Sequence, residues 1–107
     1  MKIITPETAE KVPFNLDGRK MFTSEKVELI HLNLNPNEEV ALHTNPFDVI
    51  FYILEGEGII NVDGESIPVR ADYALFIEKD KQRGMINTGS TNLRVLVFKV
   101  FWFDLKR

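Results

Sequence analysis

From Lys26 onward the chain never holds a helical period, and this most constrains what it can fold into. Short runs of β-branched and aromatic residues alternate instead with turn residues, roughly every 6–12 positions. Lys26–Asn35 places Val27 and Leu29 on one face and Ile30, Leu32 and Leu34 on the other, and Asn35-Pro36-Asn37 ends it. Val40–His43, Val49–Leu54, Ile59–Val62, Tyr73–Ile77, Arg83–Asn87 and Leu93–Phe103 read as further strands. Asp63-Gly64 between Val62 and Ile67 is a two-residue hairpin signal, because both positions of a tight type I′ turn need positive φ. Such a pattern predicts an all-β fold, one antiparallel barrel or sandwich. The only helical signal is Thr5-Pro6-Glu7-Thr8-Ala9-Glu10, with a capping Thr, a Pro and an acidic first turn, enough for one turn of helix.

Length and composition narrow the rest. With 107 residues the chain fits one domain, read as an N-terminal segment over 1–25 and a barrel core over 26–103. It is 44% hydrophobic, with eight Phe, so it can fill a core. A net charge of -3 with Lys and Arg scattered among acids argues against nucleic acid. The longest apolar run, Val49–Leu54, is too short to span a bilayer, and the first residues lack the apolar stretch of a secretion signal. The absence of cysteine removes disulfides, zinc–thiolate sites and thiol nucleophiles, and points to a reducing compartment. The expectation is a soluble cytoplasmic protein with no membrane partner. Val49–Leu54 and Val95–Phe103 are apolar on both faces, with only Lys99 interrupting the second. A barrel strand wets one face, so something must cover the outer one: the N-terminal segment or, as the preferred expectation, a second copy in a homodimer.

The segment from Pro36 to Gly58 resembles the first motif of the cupin family, G-x5-H-x-H-x3-E-x6-G, most closely in Phe51-Tyr52-Ile53-Leu54-Glu55-Gly56-Glu57-Gly58 and in the spacing from His43 to Gly56. Ala71-Asp72-Tyr73 through Asn87-Thr88-Gly89 is similar to the second motif, G-x5–7-P-x-G-x2-H-x3-N. The resemblance implies a small jelly-roll barrel, the cupin double-stranded β-helix, with a pocket at one mouth. It also implies a metal held by two His and a Glu from the first motif and one His from the second. Inward-pointing His and Glu donors suit iron, manganese, nickel or zinc. Those positions are largely replaced here. They fall on His43, Asn45, Val49 and Arg83, or Gln82 if the second motif is anchored at Ala71 rather than Asn87. Val has no donor atom, Asn is a weak one and Arg is a permanent cation. No cofactor is therefore expected. A divalent transition metal at His43 with unexpected partners is the less favoured alternative. Asp48 lies on the opposite strand face unless a bulge intervenes, and His31, beside Val27 and Leu29, reads as a satisfied strand histidine.

The replaced positions still form a coherent pocket. His43, Asn45 and Arg83 line the mouth, and Val49, Phe51 and Met85 lie deeper on the same parity. A guanidinium over an apolar floor suits a small anionic or sugar-like ligand. The competing reading turns Arg83 out to solvent toward Glu78 or Asp80. Three functions stay open: a metal-free ligand-binding barrel, a metal-dependent cupin enzyme of dioxygenase, isomerase or decarboxylase type, and a structural dimeric domain.

Overall fold

The computed structural model describes residues 1–102. Ten strands follow in chain order: β1 (Glu10–Lys11), β2 (Asp17–Thr23), β3 (Val27–Leu34), β4 (Glu39–His43), β5 (Asp48–Glu55), β6 (Glu57–Val62), β7 (Glu65–Arg70), β8 (Ala74–Ile77), β9 (Arg83–Ile86) and β10 (Leu93–Val100). They form two antiparallel sheets, one ordered β1-β2-β3-β10-β5-β8 and the other β4-β9-β6-β7. The chain forms the all-β fold expected from the turn spacing, with the two-sheet jelly-roll arrangement that the resemblance implies. Among the described residues no helix is long and apolar enough to cross a membrane.

Alternation builds the core. β5 sends Val49, Phe51 and Ile53 inward, β10 sends Leu93, Val95 and Val97, and β3 contributes Ile30 and Leu34. Ile60, Val69, Ile77 and Met85 reach the same cluster from β6, β7, β8 and β9. The hairpin at Asp63-Gly64 forms as read, with φ of 48° and 85° and Val62 paired to Glu65. Gly56 shows why the end of the first motif is kept. Its φ is 87°, and a Cβ there would lie 2.3 Å from the Asn92 carbonyl oxygen.

Two features depart from the strand-by-strand reading. The 1–25 segment holds a seven-residue strand, β2, that pairs along β3 and extends the larger sheet at its edge. Its weak apolar alternation and an irregularity between Lys20 and Phe22 hide it from a period-two reading. The last strand stops at Val100, and Phe103 lies outside the described residues. The Thr5 signal yields one turn, with the Ala9 amide donating to the Thr5 carbonyl at 2.9 Å.

Candidate functional site

One end of the barrel opens into a cavity of about 570 Å³. Its lining includes the six residues placed there from strand parity and the register of the resemblance: His43, Asn45, Val49, Phe51, Arg83 and Met85. Arg83 rather than Gln82 lines it, which resolves the alignment in favour of the Asn87 anchor. Asn87 itself is fully buried and spends its side chain on the fold. It donates to the Leu34 and Thr91 carbonyls at 2.9 and 2.8 Å and accepts from the Gly89 amide at 2.9 Å.

A β-bulge sets the mouth. Val40 pairs with Met85, but the next partners are His43 and Arg83, so three steps along β4 match two along β9. Bulges of this kind re-aim side chains. Here the extra residue brings His43 directly opposite Arg83 with both on the cavity. The His43 ring places Nδ1 2.9 Å from the Ala41 carbonyl oxygen. A carbonyl only accepts, so Nδ1 carries the proton, and in the neutral form of the ring the lone pair is at Nε2.

Arg83 is 1% exposed, so the alternative in which it turns out to solvent does not occur. Its Nη2 donates to the Glu78 carbonyl at 3.1 Å. With the Asn45 amide turned to satisfy both its ends, Asn45 accepts from Arg83 Nη1 at 3.1 Å and donates to the Thr44 carbonyl at 3.1 Å. Arg83 Nε is buried with no partner. Among the described residues no carboxylate lies within ion-pair distance of this guanidinium. Burial pulls its pKa below the ordinary value, while the more distant charges of Asp48, Asp63 and Asp80 act in the opposite direction.

The donor set does not fit a transition metal. Val49 has no ligating atom, Arg83 places a cation where a fourth ligand would stand, and Asn45 is engaged with Arg83 and Thr44. Asp48 does not rescue the site. It accepts from the Lys79 amide at 2.8 Å and from the Trp102 indole. Among the described residues no three His, Cys, Asp or Glu side chains cluster to hold an ion. His31 is 6% exposed and accepts from Arg94 Nε at 3.2 Å through Nε2, as a satisfied strand histidine does.

Sequence reading missed two contributors. Lys99 lines the cavity, and its Nζ pairs with Glu28 at 3.1 Å and lies 5.7 Å from the Phe47 ring centre. Its spacing of two from Val97 and four from Val95 was the available signal. Val12, Phe14 and Leu16 close the cavity from the N-terminal segment, and nothing in their local pattern announces it.

Comparison with known proteins agrees with this architecture. A family model described as a cupin domain matches residues 30–99. The tetracenomycin polyketide synthase protein TcmJ of Streptomyces glaucescens is 35% identical over 71 residues, which cover 65% of this chain and 47% of that protein. An oxalate-binding protein of Thermotoga maritima is 33% identical over 66 residues, covering 61% of this chain and 54% of that protein. The chain thus spans about half the length of the curated relatives it matches. The crystal structure of a predicted oxalate decarboxylase from Thermotoga maritima superposes with a TM-score of 0.82 at 22% identity, covering 94% of this chain and 100% of that one.

Proposed function

The chain belongs to the cupin family, and from that premise we propose that its barrel binds a small amphipathic carboxylic acid without the help of a metal. The observation that carries this reading is the buried Arg83 guanidinium, whose Nε has no partner, at the end of a largely apolar cavity. A buried cation without a carboxylate beside it is costly, and a ligand carboxylate in the cavity would supply the counter-charge it lacks. His43 and Asn45 supply further polar contacts, and Val49, Phe51, Met85 and Leu32 receive the apolar body. Relatives are named for oxalate binding and for polyketide synthesis. Oxalate has no apolar part to occupy these walls, whereas a cavity of about 570 Å³ is of a size that takes ligands with a ring or chain. The larger acid is therefore the better fit.

The test is thermal denaturation with phenylacetate, phenylacetamide and oxalate. Phenylacetate raises the melting temperature most, the neutral amide does little, and Arg83→Gln loses the response while Arg94→Gln keeps it. Losing one charge-assisted hydrogen bond costs about 1.5–3 kcal/mol, roughly a 10- to 150-fold loss of affinity. An equal response to the amide, or an unchanged response in Arg83→Gln, overturns the assignment.

A separate observation supports self-association. On the outer face of the six-stranded sheet, Phe22, Leu29, Phe98, Ile50 and Phe76 lie in one cross-strand row, with Leu96 and Tyr52 in the next. Phe22 and Phe76 are 47% and 55% exposed. The N-terminal segment adds to the sheet edge through β2, and these two rings at the ends of the row stay exposed. At about 4.8 Å per strand and 3.3 Å per residue, the 35 residues of β2, β3, β10, β5 and β8 span roughly 550 Å² in projection. That is about two thirds of the ~800 Å² per partner of a standard interface. We read the occupant as a second copy of the chain. The lack of cysteine supports a reducing, cytoplasmic setting.

A further inference from the structure

We propose that this cavity catalyses proton transfer at carbon, with His43 Nε2 as the proton acceptor for an enolisable keto acid held at Arg83. The inference rests on the anion-binding reading above and goes beyond it to a reaction. Three observations carry it. The Ala41 carbonyl, 2.9 Å from His43 Nδ1, fixes the proton on that nitrogen and leaves Nε2 as the basic atom. The bulge in β4 sets His43 directly across from Arg83, both on one cavity, and residues paired this way have Cβ atoms about 4.5–5.5 Å apart. Arg83 lines the same cavity with no carboxylate within ion-pair distance among the described residues, so its charge is placed to stabilise developing negative charge there.

The step balances without an oxidant or a metal. The C–H bond next to the ketone breaks, and its proton goes to His43 Nε2. The electron pair becomes the C=C bond of an enolate, and the carbonyl electrons move to oxygen. That oxygen adjoins the carboxylate bound at Arg83, so the guanidinium, held in place by its bond from Nη1 to the Asn45 side-chain oxygen at 3.1 Å, is the group placed for it. The imidazolium then returns the proton to carbon or to oxygen. Net chemistry is tautomerisation or exchange of the carbon-bound proton. The carboxylate sets the ligand's orientation, and the apolar walls exclude water from the charge that forms.

The experiment follows phenylpyruvate in deuterium oxide by proton NMR, reading loss of the benzylic signal, with melting temperature recorded in parallel. A positioned general base contributes about 10²- to 10⁴-fold. The wild-type protein is therefore expected to exchange the proton at least about 100-fold faster than His43→Gln, and excess phenylacetate to suppress the exchange by occupying the cavity. His43 is exposed on the mouth, so His43→Gln is expected to fold and, with Arg83 intact, to keep part of the melting-temperature rise with phenylpyruvate. The variant at the other histidine, His31→Gln, keeps the exchange. If phenylpyruvate stabilises the wild-type protein but exchange matches that of His43→Gln, the proton-transfer inference is wrong and anion binding stands. If phenylpyruvate gives neither stabilisation nor exchange, both readings fall. Exchange that phenylacetate leaves untouched also overturns the inference, because the reaction then lies outside the cavity.

Discussion

Two histidine–arginine neighbourhoods occupy opposite faces of the barrel wall, and the same residue types end in opposite states. On the outer face His31 is buried and accepts from Arg94 Nε at 3.2 Å, while Arg94 Nη1 pairs with Glu55 at 3.2 Å. The His31 Nε2 and the Arg94 guanidinium both have partners there, and Arg94 keeps access to water. On the inner face the exposures are exchanged. His43 stands exposed at the mouth, and Arg83 is buried with Nε unpartnered and no carboxylate beside it. A satisfied pair on a wall holds strands together. An unsatisfied one at a cavity is a reservoir of binding free energy, because its missing acceptor can come from a ligand.

Replacing each arginine by methionine sharpens that contrast and carries the largest expected effect. Arg83→Met removes a buried charge lacking a carboxylate partner and puts an apolar chain of similar length in its place. Such replacements are often neutral or stabilising by about 1–4 kcal/mol. The unliganded variant is therefore expected to melt no lower than the parent, while its response to phenylacetate disappears. Arg94→Met does the reverse: it loses Glu55 and His31 as partners, melts slightly lower and keeps the ligand response. Thermal denaturation of the two variants with and without phenylacetate reads both halves. A marked fall in the melting temperature of unliganded Arg83→Met would show that its bonds to Glu78 and Asn45 outweigh the cost of burying the charge.

The same inner–outer comparison explains what was legible in the sequence. The fold was readable because the kept motif residues are the ones backbone geometry demands. Gly56 sits at positive φ against the Asn92 carbonyl, and Asn87 ties three backbone groups together. The replaced positions, Asn45, Val49 and Arg83, bear on the cavity rather than on chain geometry, so they changed while the barrel persisted. Parity within each strand, with the register implied by the cupin resemblance to bring Arg83 across, placed His43, Asn45, Val49, Phe51, Arg83 and Met85 together, and all six line the cavity. Local pattern could not show that the β4 bulge brings His43 opposite Arg83, since a bulge is a property of two paired strands. It also could not show β2 or the cavity wall of Val12, Phe14 and Leu16. β2 owes its place to pairing with β3, and Val12, Phe14 and Leu16 lie between β1 and β2, where the Val12 amide donates to the Gly18 carbonyl, rather than on any period of their own. Lys99 was readable in principle, two residues from Val97, but it breaks an apolar run and so invites an outward placement.

A second contrast separates the outer apolar row from the charged margin beside it. Phe76→Glu places a carboxylate at the exposed end of the row, on the edge strand β8, where it disturbs little of the core. Light scattering at micromolar concentration is expected to give twice the chain mass for the parent and a shift toward one chain for this variant. Lys79→Glu, on the loop after β8, leaves the parent mass unchanged. A parent mass of one chain at every concentration removes the second copy as the occupant of this face.

The smallest expected effect lies in the pH dependence of the outer pair. Burial, and then the neighbouring Arg94 charge, hold the His31 pKa below its ordinary value of 6.5, against weaker pulls from Asp17 and Glu7. The unfolded chain therefore takes up a proton at a higher pH than the folded one. Where the unfolded state binds more protons, stability rises with pH. The stabilisation associated with neutral His31 is complete above about 6.5 and is lost as pH falls from there toward the depressed folded value. A glutamine at this position can still accept from Arg94 through its amide oxygen and does not titrate. Melting curves of the parent and of His31→Gln across this range are expected to converge as pH falls, because only the parent loses the His31 contribution. Parallel curves would mean that His31 takes up its proton as readily in the folded barrel as in the unfolded chain, and the bond to Arg94 would then not be holding it neutral.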